Sequence, residues 1–399
     1  MTKVAGALPS SLPRAIGGAI EHVPALDGLR GVAILLVVIH HFAPDFRSVM
    51  PSPFGGALDR VLEAGWAGVD LFFVISGFLI TSILLSSRHE PSYYRLFYLR
   101  RVLRILPLHF GMLLVGVIVL PLLPPPFTAL GGQTMDHFAW LFFYMSNVAM
   151  AFGIVRSFGV FDILWSLAIE EQFYMVWPWL VRQVSSRRLI HTCVVLLVFC
   201  PVARALWLAN GLDFWGAYRL TFMRLDGLAL GSLLAVARHT GGTHWSTVAR
   251  FARWAVIPLT GALLVTFLSV SAFYPKSPFV LVVGESLLNL FFATALVLAV
   301  SNRYEILQRV LTRPALMRIG LYSYGMYALH YPLILVMQAA RVPERLGVGN
   351  SLAGATLFFV LGILGSVALG ALSYHAYEQH FLKLRRLFAY ARTNQQRAS

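Results

Sequence analysis

Long apolar segments, each about 20 residues in length, recur along this sequence and constrain its fold more than any other feature. Ten are predicted, at residues 27–46, 66–86, 103–123, 162–181, 189–209, 216–237, 254–273, 280–300, 318–338 and 352–375. The 399-residue chain is 58% hydrophobic and only 12% charged, and its mean hydropathy is +0.72. The apolar runs are continuous and do not alternate as outer-membrane β-strands do. We therefore predict an all-α polytopic membrane protein with about ten transmembrane helices in one bundle.

The distribution of basic residues predicts the topology of this bundle. Of the 32 Lys and Arg residues, 23 fall in segments on the same side as the N-terminus, six fall on the other side, and three lie within or near spans. Because cytoplasmic loops carry the excess of Lys and Arg, both termini are predicted to be cytoplasmic. A lipid bilayer thus accounts for the net charge of +15 without a nucleic-acid partner.

The chain reads as one membrane domain at residues 25–381. A mobile cytoplasmic tail at 1–24 precedes it, without the apolar region of a signal peptide, and a basic cytoplasmic tail at 382–399 follows it. The apolar segment 137–152 is short for a span, and counting it as one would break the charge alternation. We predict that it is an interfacial or re-entrant piece on the outer side that leads to Trp165.

The first span begins with the motif Leu-Asp-Gly-Leu-Arg-Gly and ends with two histidines. Arg30 and His41 are eleven residues apart, which on a helix is about 16 Å and about three turns, so they share one face. His40 points about 100° away from that face. An ionisable group inside a membrane indicates function by default. The alternative is a signal-anchor helix whose histidines mark its far end.

Ionisable residues also occur in three other spans. Asp70 opens the second, Glu170 and Glu171 lie in the fourth, and Arg224 and Asp226 lie in the sixth. Adjacent glutamates point about 100° apart, so they are not expected to act as a matched pair. The three earlier carboxylates are candidate partners for Arg224. A purely structural interhelical salt bridge is the alternative to a catalytic role.

Two further groups of polar residues could bind substrates. Arg101 and Arg104 share one helix face at the entry to the third span, where forked guanidinium groups suit phosphate. Anchoring to lipid headgroups is the alternative for this pair. Ser323, Tyr327 and His330 form a single polar stripe on the ninth span, at i, i+4 and i+7. This stripe could bind a substrate or hydrogen-bond neighbouring helices.

The sequence resembles the acyltransferase-3 family of integral membrane O-acyltransferases from Leu26 to about Phe381. The likeness rests on LDGLRG with the Arg30-to-His41 spacing, GVDLFFVISGFLIT, RRVLRILP and WSLAIEEQFYMVWP, and SYGMYALHYP supports it. It implies transfer of an acyl group, commonly acetyl, from cytosolic acyl-CoA to a hydroxyl on a sugar or other acceptor. The apolar spans predict a multi-pass protein of the cell membrane, and we expect this to be a bacterial inner membrane.

The resemblance assigns roles to individual residues. Ten residues separate the family's arginine from its histidine, which selects His41, and the donor-binding arginine motif falls on Arg101 and Arg104. An alcohol attacks a thioester slowly until a base removes its proton, so His41 is expected to be the general base. Asp70 or Glu170 is expected to orient it.

The remaining polar residues receive binding or structural roles. Arg30 lies too far along the helix to touch His41 and is expected to hold phosphates of the donor. The acceptor or structural polar site is predicted to comprise Glu171, Arg224, Asp226, Ser323, Tyr327 and His330. One departure from the family is Glu378, which is followed by Gln379 where many members have proline, so no role is assigned to it. No fused periplasmic hydrolase-like domain is expected.

Other functions fit parts of this pattern. A transporter could use His41, Glu170 and Arg224 as a relay, but the sequence lacks two matched halves with broken spans. An acyl-histidine relay is a variant of the enzyme hypothesis, and a structural scaffold leaves the buried charges unexplained. Cys193 and Cys200 share one predicted helix and offer no zinc spacing or disulfide framework. No metal or other cofactor is predicted, and acyl-CoA is the co-substrate.

Overall fold

The computed structural model describes residues 23–44, 46–132, 134–269, 277–301 and 304–384. All regular structure within these residues is helical, which confirms the predicted all-α class. Ten helices in the described residues have 16 or more residues. They are α1 (Pro24–Phe42), α2 (Gly68–Ser86), α3 (Tyr93–Ile118), α4 (Leu164–Gln183), α5 (Ser186–Ala209), α6 (Leu225–Thr240), α7 (Gly242–Ser269), α8 (Glu285–Val300), α9 (Pro314–Ala339) and α10 (Leu352–Ser373).

Seven helical segments of the described residues are long and apolar enough to cross a membrane, and they contain α1, α2, α3, α5, α7, α8 and α10. Of the other three, α4 carries Glu170 and Glu171, α6 carries Asp226 with Arg224 directly before its first residue, and α9 carries His330. A count of about ten spans and the cytoplasmic placement of both termini therefore stay predictions. The two predicted tails lie largely outside the described residues.

The helix ends follow local sequence signals. Pro24 and Pro314 occupy the first turns of α1 and α9, where a missing N–H costs nothing. The Ser185 hydroxyl accepts a hydrogen bond at the start of α5, and the Ser351 hydroxyl does so at the start of α10. The helix α3 begins at Tyr93, ten residues before the predicted third span. Hydropathy marks only the apolar part of a helix and misses a polar first half.

Glycines allow two pairs of helices, α1–α9 and α2–α6, to pack closely. A Cβ added to Gly320 of α9 would lie 1.8 Å from the Asp27 carbonyl oxygen of α1. A Cβ added to Gly77 of α2 would lie 2.0 Å from the Leu228 carbonyl oxygen of α6. Small residues of this kind let helix backbones approach each other inside a membrane. At these glycines the backbones of α1 and α9, and those of α2 and α6, are in direct contact, so no side chain other than hydrogen fits between them.

The segment 137–152 forms two short helices, Phe138–Phe142 and Ser146–Ala151, instead of a span. Asn147 ties the second helix to the bundle, since its amide donates to the Arg219 carbonyl at 3.1 Å and accepts from Gln172 of α4 at 2.9 Å. The segment therefore packs against the helix bundle, and each of its two helices is too short to span a bilayer. An amphipathic helix that the sequence did not predict, Phe54–Glu63, lies between α1 and α2.

Two long helices continue into π-helical turns. These are Val280–Gly284, immediately before α8, and Tyr374–Glu378, immediately after α10. A π turn inserts an extra residue and so redirects the side chains that follow it. Each of these turns adjoins or contains a buried glutamate, Glu285 in one case and Glu378 in the other. Both glutamates belong to the polar clusters described below.

Candidate active site

The ring of His330 on α9 meets the ring of His41 on α1 edge-on, with their centroids 4.9 Å apart and an interplanar angle of 68°. His41 Nδ1 lies 2.9 Å from the Val37 carbonyl oxygen, and His330 Nδ1 lies 2.8 Å from the Tyr327 carbonyl oxygen. A carbonyl only accepts, so in the neutral rings each Nδ1 carries the hydrogen. His330 Nε2, 3.4 Å from His41 Nδ1, is then an acceptor. This assignment leaves His41 Nε2 with its lone pair, as a general base requires.

The neighbouring His40 lies in a different environment. Its ring is nearly perpendicular to that of His41, with an interplanar angle of 81°. It hydrogen-bonds the backbone of Glu63 at the end of the amphipathic helix. The two histidines therefore take different partners, in line with the 100° separation expected for adjacent helix positions, about one-quarter of a turn.

Each residue of the predicted polar stripe on α9 contacts a polar residue of α1 or α4. The Arg30 guanidinium donates to the Ser323 hydroxyl at 3.0 Å. The Tyr327 hydroxyl lies 2.5 Å from the Ser166 hydroxyl, and His330 meets His41 as described. The stripe thus forms a line of polar groups between the Arg30 and His41 ends of the shared face.

Three guanidinium groups converge on α4. Arg30 lies near enough to Arg101 and Arg104 to be repelled by them and near enough to Glu170 to be attracted, and Glu170 also accepts a hydrogen bond from Ser76. The Arg101 guanidinium lies over the Tyr174 ring of α4, 5.4 Å from its centroid. This cluster, here called the arginine cluster, brings together the predicted donor-binding residues. It also holds Glu170, which was predicted to orient His41.

Two more glutamates flank the arginine cluster. Glu171 interacts with Arg101, and its Oε1 atom is buried with no hydrogen-bond partner in the described residues. Glu378 accepts a hydrogen bond from the Ser373 hydroxyl at 2.7 Å and interacts with Arg104 and Arg30. The structure therefore places Glu378 at the site, although the sequence assigned it no role.

A second cluster, here called the ion network, joins α2, α5, α6 and α8. Arg224 donates to Asp70 at 2.8 Å and also pairs with Glu285. Arg204 lies 2.8 Å from Asp226 and 3.3 Å from Glu285. Asp70 is thus the partner that Arg224 takes among the three predicted candidates. The described contacts of His41 Nδ1 are with the Val37 carbonyl and His330, whereas Asp70 pairs with Arg224.

Comparison with known proteins agrees with the residues assembled here. Residues 23–375 match the acyltransferase domain that defines the acyltransferase-3 family. The chain belongs to this family. The match includes α1 through α10, so the arginine cluster, the histidine pair and the ion network all lie within the acyltransferase-3 domain, apart from Glu378 just beyond its end.

Several curated relatives of this acyltransferase-3 chain are named O-acetyltransferases. The peptidoglycan O-acetyltransferase OatA of Listeria monocytogenes is 30% identical over 79% of this chain and 50% of its own length. The putative peptidoglycan O-acetyltransferase YrhL of Bacillus subtilis is 30% identical over 90% of this chain and 55% of its own. The O-acetyltransferase OatA of Staphylococcus aureus is 28% identical over 90% of this chain and 57% of its own length.

The chain spans about half the length of the curated relatives it matches. No solved structure matches this acyltransferase-3 chain.

Sequence reasoning missed the roles of Arg204, Glu285 and Glu378. A signal was available for two of them, because Arg204 lies in the fifth predicted span and Glu285 in the eighth, and an ionisable residue in a span requires a partner. Glu378 lies just after the last predicted span, and only the fold shows that the π turn directs it to the arginine cluster.

Proposed function

We propose that the chain is a membrane-bound O-acyltransferase that moves an acyl group, most simply acetyl, from cytosolic acyl-CoA to a hydroxyl of a glycan. The observation that carries this proposal is the histidine pair, in which His41 Nδ1 is held by Val37 and His330 while Nε2 keeps its lone pair. The relatives named peptidoglycan O-acetyltransferases support a glycan acceptor. The apolar helices support a multi-pass protein of a membrane, and the bacterial inner membrane is the location we propose.

The reaction follows from the position of this base. His41 Nε2 removes the proton of the acceptor hydroxyl as its oxygen bonds to the thioester carbonyl carbon. The tetrahedral intermediate collapses with cleavage of the carbon–sulfur bond, and the imidazolium returns the proton to the departing thiolate. The products are the ester and free CoA. Val37 and His330 accept from Nδ1–H throughout and so stabilise the imidazolium.

The arginine cluster is the proposed binding site for the donor phosphates. Arg30, Arg101 and Arg104 supply the guanidinium groups that hold polyanions bidentately. Arg30 and His41 are about 16 Å apart along α1, so the acyl arm of the donor must extend along the stripe of α9 to reach the base. Ser323 and Tyr327 line that route.

A transfer assay tests the proposal. Membranes containing the chain are incubated with radiolabelled acetyl-CoA and candidate glycans, and ester-linked label is separated from free acetate. We expect labelled glycan with the wild-type chain and at least about a hundredfold less with His41→Ala. A transporter would yield no ester, and an equally active His41→Ala protein would refute the assignment of the base.

A further inference from the structure

A second group of polar and aromatic side chains lies beside His41, at the end of the bundle where α1 finishes. Tyr331 follows His330 on α9, and its ring meets the His41 ring edge-on with centroids 5.5 Å apart. Tyr331 in turn interacts electrostatically with Asp162 and Arg219. These residues come from the loop before α4 and from the short helix Phe214–Arg219. The mechanism above uses none of the three.

Arg219 is held in a conformation that leaves donors available. Its guanidinium stacks over the Trp215 ring, 4.6 Å from the centroid, and its carbonyl is fixed by Asn147. The Nε atom is buried and has no hydrogen-bond partner among the described residues. Stacking on an aromatic face directs the N–H groups of a guanidinium outward from its edge. A buried donor without a partner is costly unless a ligand satisfies it.

The surroundings of Arg219 favour a neutral ligand. Two carboxylates, Asp162 and Asp213, already face its charge. Asp162 is itself held by the Ser157 hydroxyl at 2.7 Å and by a backbone N–H at 2.6 Å, so it cannot move away to admit an anion. The Trp215 side chain remains 36% exposed. The group therefore offers an apolar ring surface beside hydrogen-bond donors whose positive charge is already countered by two carboxylates, which disfavours an anionic ligand.

We propose that Arg219, Trp215 and Tyr331 form the acceptor subsite, which binds a neutral sugar ring with one hydroxyl directed at His41. A sugar has an apolar C–H face that packs on an aromatic ring and hydroxyls at its edge that accept from a guanidinium, which matches this arrangement. The subsite rests on the proposed function, because His41 must deprotonate the hydroxyl that the subsite presents. To that function it adds that the acceptor sugar is neutral, and it names the residues that select it.

A binding experiment tests the subsite without relying on turnover. Purified full-length chain in detergent is titrated with chitotetraose, a neutral tetramer of N-acetylglucosamine, and with tetragalacturonate, its acidic counterpart in size. The variants are Arg219→Gln and Trp215→Ala, and Arg345→Gln is the matched control, since Arg345 is exposed on the short helix Val342–Leu346. We expect chitotetraose to bind the wild type and the control equally. The two subsite variants should bind about tenfold more weakly or worse, the cost of one hydrogen bond from a charged donor.

Steady-state transfer gives a second readout. Arg219→Gln should raise the KM for the glycan and leave the KM for acetyl-CoA unchanged, and Arg219→Lys should recover little because lysine cannot stack in the same way. Unchanged chitotetraose binding in both variants, no binding by the wild type, or preferred binding of tetragalacturonate would each overturn the subsite. Arg219-dependent binding without any ester product would uphold the subsite and refute the acyltransferase function. Turnover that depends on His41 but is unchanged in Arg219→Gln would uphold the acyltransferase function and refute the subsite.

Discussion

His330 Nε2 lies 3.4 Å from His41 Nδ1, although the two residues are 289 positions apart in the chain. This contact gives His41 an acceptor for its Nδ1–H in addition to the Val37 carbonyl. The proposed base is thereby oriented by a second imidazole and a backbone carbonyl, which is the role that a carboxylate plays in a Ser-His-Asp triad. Several consequences can be measured.

His41→Ala should lower the rate of acetyl transfer by about 10²–10⁴-fold, the usual contribution of a general base. His40→Ala is the matched control, because His40 bonds the backbone near Glu63 and not the histidine pair. It should retain most of the activity. Initial rates of ester formation, normalised to the amount of folded protein on a size-exclusion column, make the comparison. Equal losses in the two variants would contradict the assignment.

His330→Phe should lower kcat by about tenfold to a hundredfold, because the imidazolium at His41 loses a hydrogen bond of the charged kind. His330 acts through His41, so the KM values for donor and acceptor should stay the same. His330→Gln retains an acceptor and should recover part of the loss. If His330 had only a structural role, both variants would have a lowered Tm and His330→Gln would recover none of the lost kcat.

Arg104→Ala should raise the KM for acetyl-CoA by about tenfold, because one charge-assisted contact to phosphate is lost. The KM for acetyl-pantetheine, which lacks the nucleotide phosphates, should not change. Arg95→Ala serves as the control, since Arg95 lies on the same helix but is exposed. If Arg104→Ala weakened both donors equally, the arginine cluster would not be the phosphate site.

Arg224→Ala should destabilise the protein by about 3–5 kcal/mol, because Asp70 and Glu285 would remain buried without their partner. Thermal unfolding in detergent measures the change in Tm. Arg309→Ala removes an ion pair with Glu305 whose side chains are 72% and 77% exposed, and it should leave Tm almost unchanged.

Replacing Asp70 by Asn in the Arg224→Ala background removes one of the stranded charges and should recover part of the stability. If the double variant were less stable than Arg224→Ala by the full cost of Asp70→Asn alone, the two residues would not be coupled.

The shared face of Arg30 and His41 and the stripe at Ser323, Tyr327 and His330 could be predicted because both depend on helical periodicity alone. The partners of those residues could not. Nothing local in the sequence indicates that α9 packs against α1, nor that a π turn directs Glu378 toward Arg104. Similarly, Asp70 could equally have been assigned to His41 or Arg224 until the neighbouring helices were known.

The sequence by itself determined that this chain is a bundle of long apolar helices and which residues share a helix face. That information is local, because inside a membrane each helix must satisfy its own backbone hydrogen bonds. Only the tertiary structure decided which buried charges pair and which nitrogen of His41 keeps a lone pair. Those outcomes depend on close approaches such as that of Gly320 to Asp27, which bring together residues hundreds of positions apart.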